Sequence, residues 1–338
     1  MTDPRGGFVL VFVVFVLFAI SVAGLTGYLL VSSEHELARY SGQGAEALTV
    51  ARGGLERFAA EQLGVVPDTV SYALGRGIAT VTTRKLYTVD PVTDMYYLRS
   101  EGTVDDIRTP DAPARRVVGG YAVRRRRPVR LHAAVLITAD DIDVTDPGEI
   151  LGRDQQVSLG CSTGGPPHLT GAIARLGVTE DDPSAVRGNP DYELWPGGWS
   201  GIVDSVGVRW DVITDPEFPV DYENTLPDFG ALPPDSFPVI RYTGWVSAGF
   251  SGRGVLIVDG VFDPTTSFNW DGIVLAGQID DMVEGFVDGI LIAGLEGPNP
   301  YASIDFRADV NYHSCYVHAA NESLSYLELL PNTVFELN

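Results

Sequence analysis

Few side chains in this sequence have the types and spacing that chemistry needs. His313, Cys315 and His318 lie close together and are ligand types that zinc takes. On a strand, 313 and 315 share a face and 318 points away, so three-ligand coordination would need a bend, and no metal is expected there. Asp140, Asp141, Asp143 and Asp146 form a denser set of hard oxygen ligands suited to calcium. The glycine and terminal glutamate of an EF-hand are misplaced, so a solvated acidic loop is the expected state. Two carboxylates on distant strands can form the acid pair of a glycosidase, but no particular pair is marked out. The fingerprints Gly-x-Ser-x-Gly, P-loop, Gly-x-Gly-x-x-Gly and His-Glu-x-x-His are all missing from the sequence. Neither a catalytic residue nor a cofactor is therefore expected. Asn321-Glu322-Ser323 is a glycosylation triplet of a kind common by chance.

Composition narrows the partners. The 338 residues carry 45 acidic against 23 basic side chains, a formal net charge of −22. Such a surface repels nucleic acid and excludes it as a partner. Cys161 and Cys315 are the only thiols. In an exported chain they can form one disulfide, and the alternative is two buried unpaired thiols.

These groups must be positioned by an N-terminal helix and a β-rich body. Residues 8–31 contain no charged side chain and are mostly Val, Phe, Leu, Ala and Ile. As a helix they rise about 36 Å, enough to cross a hydrocarbon core of roughly 30 Å. Arg5 precedes the run and Glu34 and Glu36 follow it, which predicts an N-terminus in the cytoplasm and the body outside. A secretory leader is the competing reading, with Ser21-Val22-Ala23 as its cleavage site. Against it, Leu37, Tyr40, Leu48, Ala51, Leu55 and Phe58 continue a helical apolar pattern to about Leu63. The span is one piece with an amphipathic helix, as a retained spine would be.

Arg5-Gly6-Gly7 followed by Phe8 and this long apolar helix resembles a type IV prepilin leader. The resemblance implies cleavage by a prepilin peptidase between Gly7 and Phe8, and methylation of the new N-terminal Phe8. Ala45 to Leu55 is similar to the Ala-rich segment of PilX-type minor pilins and of the GspK pseudopilin of general secretion. Major pilins carry glutamate at the fifth mature position, where this chain has Phe12. That departure argues for a minor subunit rather than an abundant shaft subunit.

Beyond the helix, residues 79–83, 95–99 and 116–118 read as strands, with turns at 75–77 and 90–91. This predicts a pilin-like antiparallel sheet over 65–131. Residues 97–104 are also similar to a strand of PilX-type heads. Arg124 to Arg127, with Arg130, is either a docking patch for acidic partners or lipid headgroups, or an edge strand blunted by charge. Three Gly-bounded apolar runs start at Gly254, Gly272 and Gly289. That spacing suits parallel strands stacked in a short β-solenoid, with 133–137 as an earlier rung, or else an ordinary sheet. Rungs of this kind ending in a strand like Tyr312-His313-Ser314-Cys315 occur in large PilX-related proteins. The Pro- and Trp-rich stretch from about 178 to 249 reads as a projecting insertion.

The expected fold is α+β. It comprises a leader over 1–7, a long helix over 8–64 with its transmembrane half at 8–31, the sheet over 65–131, and a solenoid-like domain over 132–338. The expected function is a minor pilin-like structural subunit that primes, caps or decorates a type IV pilus or pseudopilus from the cytoplasmic membrane. Its partners would be other pilin or pseudopilin subunits, met through the helix. The alternative is a membrane-tethered β-solenoid enzyme or carbohydrate-binding protein.

Overall fold

Helix α1 spans Gly6–Glu61 without a break and carries the apolar run and the amphipathic segment in one rod. The computed structural model describes residues 6–105, 113–155, 168–195, 199–264, 268–282 and 284–337, without the side chains of residues 6–11, 199, 202 and 248. The helix stops ahead of Gly64, which adopts φ +65°, and Leu63 then bridges to Tyr326.

Four antiparallel strands follow: β1 (Thr69–Leu74), β2 (Gly77–Asp90), β3 (Thr93–Val104) and β4 (Ala114–Arg125). Burial alternates along β3, with Tyr96, Leu98, Ser100, Gly102 and Val104 turned inward, as a half-covered antiparallel strand requires. The cover is the C-terminal part of α1, where Ala47, Ala51, Leu55 and Phe58 are fully buried. Burying side chains such as Leu55 and Phe58 contributes on the order of 1.5–3 kcal/mol each. The Ala- and Gly-rich composition here has a steric cause. A Cβ on Gly54 would overlap Ala79 of β2, and one on Gly102 would run into the α1 backbone at Ala47 and Ala51.

The second body holds most of the remaining elements. They are β5 (Ala133–Ile137), β6 (Asp141–Val144), β7 (Glu149–Leu151), β8 (Thr170–Ala174), β9 (Gly177–Glu180), β10 (Val186–Arg187) and β11 (Tyr192–Leu194). Then come α2 (Trp199–Val206), α3 (Trp210–Ile213), β12 (Tyr222–Glu223), β13 (Val239–Thr243), β14 (Val246–Ala248), β15 (Ser251–Pro264), β16 (Asn269–Ile279) and β17 (Phe286–Ala293). Last are β18 (Ser303–Phe306), β19 (Asp309–Asn311), α4 (Ser314–Ser323), β20 (Tyr326–Leu329) and β21 (Phe335–Leu337).

The three Gly-bounded runs are adjacent parallel strands in register, with Gly254 opposite Gly272 and Gly272 opposite Gly289. The stack continues out of chain order. Leu291 of β17 pairs with Val135 of β5, β5 pairs with β8, and β8 with β11. The chain thus enters the stack in its middle, builds outward to β11, passes through α2 and α3, and restarts at the far end with β12 and β13. It then returns through β15 and β16 until β17 closes onto β5. These strands read as continuous apolar runs because both faces are buried, and α4 lies against β15, β16 and β17.

Several expectations are corrected. The last strands do not belong to the second body: β20 and β21 pair with β4 and complete the first sheet, so the chain recrosses the expected boundary at 131/132. The stretch 178–249 is not a projecting insertion, because β13 pairs with β15 and its Val239, Ile240 and Arg241 are buried. Residues 314–323 form a helix rather than a strand, which places His313 at its N-cap. The basic run is neither a free patch nor a blunted edge. Arg124 and Arg127 pair with Glu322, Arg125 with Glu328, and Arg126 with Asp94. It joins the first sheet to α4. Beside it Asn321, 4% exposed, accepts from the Val129 N–H at 3.1 Å and donates to its carbonyl at 2.7 Å. The triplet asparagine is thereby sequestered in the fold.

Candidate functional site

The largest unpartnered feature is the N-terminal part of α1. From Phe12 to Tyr40 its large apolar side chains face outward, Phe12 at 59% exposure and Phe15 at 69%. Its most apolar 18-residue window has a mean hydropathy of 2.3, and the helix is long and apolar enough to cross a membrane. Three of its hydroxyls return to the helix backbone. Ser21 donates to the Leu17 carbonyl, Thr26 to Val22 and Ser33 to Leu30, each at 2.8 Å. A hydroxyl returned to its own helix backbone is the form that hydrocarbon tolerates. Charge appears at Glu34, Glu36 and Arg39, where the Arg39 guanidinium lies 5.2 Å from the Tyr40 ring. Gly7 and Phe8 lie in the first turns of α1, and the preceding leader residues fall outside the described set. Cys315 is held in a disulfide, and Cys161 lies outside the described residues.

The second body contains an acidic ladder. Arg253, Asp271, Asp288 and Asn311 occupy successive strands in one register. Neighbouring strands lie about 4.8 Å apart, so the two carboxyls sit side by side. Burial pushes the Asp271 carboxyl above its usual range, and the Asp288 charge adds to the push while His313 and Arg253 oppose it. Burial raises Asp288 as well. From α4 the His313 ring stacks on Tyr316 at 4.0 Å, and burial holds the imidazole below its usual pKa against the pull of Asp154 and Asp271. A carboxyl pair with raised pKa values has the makings of a general acid. Here, however, α4 packs over the strands that carry it, with Ala320 Cβ 3.2 Å from where a Gly272 Cβ would stand. The ladder is therefore read as part of the packing.

The sign of its effect on stability follows. A folded carboxyl with raised pKa costs stability once it must ionise. Its contribution is therefore most favourable below the ordinary carboxylate pKa near 3.9 and falls as pH rises toward the raised value. Asp271→Asn is expected to exceed the parent in stability at pH 7.5 by about 1 kcal/mol, after discounting for residual solvent access. The gain should vanish near pH 3.5. Denaturant titrations of both chains at the two pH values check this, and a variant less stable at pH 7.5 refutes it.

Of the acidic residues expected to form a loop, Asp141 and Asp143 lie instead on β6, and two of the four have side-chain partners. Asp140 pairs with Arg175, and Asp143 accepts from Thr179 and Ser303. Among the described residues no group of three or more His, Cys, Asp or Glu side chains is arranged to hold a metal ion. Asp271 and Asp288 escaped the sequence reading although their signal was present: each precedes the Gly-Ile that opens a run, at the same offset in both copies.

The fold is thus α+β, with a β-rich body and, among the described residues, one helix long and apolar enough to cross a membrane. No family model, curated protein or solved structure matches the chain.

Proposed function

We propose that the chain is a minor pilin-like subunit, anchored in the cytoplasmic membrane and processed between Gly7 and Phe8 before it enters a type IV pilus or pseudopilus. One observation carries the reading: a single unbroken helix is bare and apolar over its first half and seated on an antiparallel sheet by Ala47, Ala51 and Gly54 over its second. That is the division of labour a filament spine needs, since lipid or neighbouring helices can cover the first half without disturbing the head. In this reading β1–β4 with β20 are the pilin-like head, and the parallel stack is a β-solenoid carried outside the cytoplasm. Phe12 leaves no buried acid to recruit a neighbour's N-terminal amine, which suits a subunit that starts or caps a filament. No catalytic step is required.

The test is intact mass and N-terminal peptide mapping of the protein from cells with and without their prepilin peptidase. The expected result is a peptidase-dependent chain beginning at a methylated Phe8, and Gly7→Leu should leave the leader attached. A chain that keeps residues 1–7 in the presence of the peptidase, or is cut beyond Ala23, overturns the reading.

A second reading, a tethered carbohydrate-binding protein, has one observation in its favour. Trp245 is 59% exposed, and its indole N–H is fixed by Asp263 at 3.2 Å beside the stacked Tyr242 and Phe250 rings. Glycan binding that is lost on Trp245→Ala would support it.

A further inference from the structure

Two exposed aromatic side chains of the strand stack are tethered by their polar edges to neighbouring carboxylates. Trp245 leads into β14 and donates its indole N–H to Asp263 of β15 at 3.2 Å. Tyr301, 36% exposed, donates its hydroxyl to Asp280 at 3.4 Å. Asp263 and Asp280 are themselves adjacent. They follow the paired residues Phe262 and Ile279, and the Asp280 N–H donates to the Phe262 carbonyl at 2.9 Å. Desolvation raises the pKa of the Tyr301 hydroxyl, and the charges of Asp280, Asp281 and Asp263 add to it, so this ring stands within electrostatic reach of both tethering acids.

A lone exposed tryptophan is ordinary on a protein surface. Here the backbone that presents each ring is also held. Gly244, with φ +84°, makes the turn before Trp245. Its N–H donates to the Asp259 carbonyl at 2.8 Å, and its carbonyl accepts from Val261 at 3.2 Å. Trp245, Tyr242, Ser247 and Phe250 line an open cleft of about 370 Å³, and Phe250 stands edge-on to the buried Phe268 at 5.6 Å. Tyr301 follows Pro298 and Pro300, whose rings fix the backbone φ, and the next carbonyl, that of Ala302, accepts from the Asp141 N–H at 2.9 Å. A surface preformed in this way lowers the ordering cost of binding.

We propose that Trp245 and Tyr301 are two platforms of one site for an extended glycan of neutral pyranose residues, with Asp263 and Asp280 accepting hydrogen bonds from sugar hydroxyls between them. The apolar C–H face of a pyranose suits an aromatic ring whose polar edge is already satisfied. A carboxylate has about four lone-pair positions, so each acid keeps acceptor capacity after tethering its ring. β14 and β16 pair with opposite edges of β15 and so lie about 10 Å apart, a reach that an oligosaccharide of a few residues covers. Charge decides the class of glycan. Uronate or sulfated chains would meet two carboxylates on a body of net charge −22 and are repelled. The inference rests on the tethered glycan-binding reading given above, to which it adds the second platform and the class of sugar.

The test uses the full chain in detergent micelles with four hexasaccharides, the neutral cellohexaose, mannohexaose and chitohexaose and the acidic hexagalacturonate, followed by calorimetry and ligand-observed NMR. At least one neutral probe should bind at least about 10-fold tighter than hexagalacturonate. Trp245→Ala and Tyr301→Ala, each checked for folding by its Tm, should weaken that binding by about 10-fold and about fivefold. Tyr301→Phe keeps the ring and loses its tether, so it should cost about threefold. The double change D263N/D280N should narrow the gap between the neutral and acidic probes, because it removes the repelling charge. Binding lost in Trp245→Ala but parental in Tyr301→Ala would keep the Trp245 reading and overturn the two-platform site. Equal binding of hexagalacturonate and the neutral probe overturns the assignment of the glycan class. Parental binding in Trp245→Ala, or no neutral probe bound by the folded parent, overturns both the inference and the reading beneath it.

Discussion

Gly272→Val is expected to lower the melting temperature of the second body by about 10 °C. Gly272 lies inside β16 with φ +131°, a region a β-branched residue enters only at a cost of about 1–3 kcal/mol. Its new Cβ would overlap the Gly254 carbonyl oxygen of the neighbouring strand and crowd Ala320 Cβ, 3.2 Å away. Overpacking against backbone costs typically about 1–3 kcal/mol more, and here the neighbour is itself held by the ladder. The sum, about 4 kcal/mol, corresponds to a shift near 10 °C for a body of this size. The control is Gly24→Val in the exposed part of α1, where a Cβ meets nothing within 4 Å. That variant should melt with the parent. Thermal unfolding by circular dichroism separates the cases, and an unchanged transition in Gly272→Val would refute this close contact.

Gly102→Val should unseat the helix from the first sheet and leave the stack intact. Gly102 faces α1 from β3, and its Cβ would strike the helix backbone at the Ala47 carbonyl and the Ala51 nitrogen, with Ala51 Cα at 3.0 Å. A side-chain neighbour can rotate away, whereas a helix backbone can only move as a unit. The expected cost is about 3 kcal/mol. It should appear as faster amide hydrogen exchange across 47–59 with little change across 254–293. Uniform acceleration of both segments would mean that the two parts unfold together, and no acceleration across 47–59 would refute the close contact.

The two substitutions divide the molecule along a line that the sequence drew only in part. The apolar run, its amphipathic continuation and strands at 79–83, 95–99 and 116–118 are all local signals, and the structure has a helix or strand at each. The Gly-bounded repeats likewise predicted adjacent parallel strands, because apolar runs at constant spacing can stack without knowledge of the rest. The same method misread 312–315 as a strand. Tyr312 is fully buried and His313 caps a helix there, but four residues of mixed polarity carry no period of their own.

The sequence by itself therefore determined the membrane-capable helix, the α+β class and the positions of most long strands, since each depends on residues only a few places apart. Tertiary structure alone decided that β17 closes onto β5, that β20 and β21 return to β4, and that the arginine run is spent on Glu322, Glu328 and Asp94. It also decided that Asp271 stands beside Asp288. Each of these joins residues whose separation along the chain leaves no periodicity to read. Their pairing is set by which surfaces remain unburied once the local elements exist, and that is a property of the assembled chain.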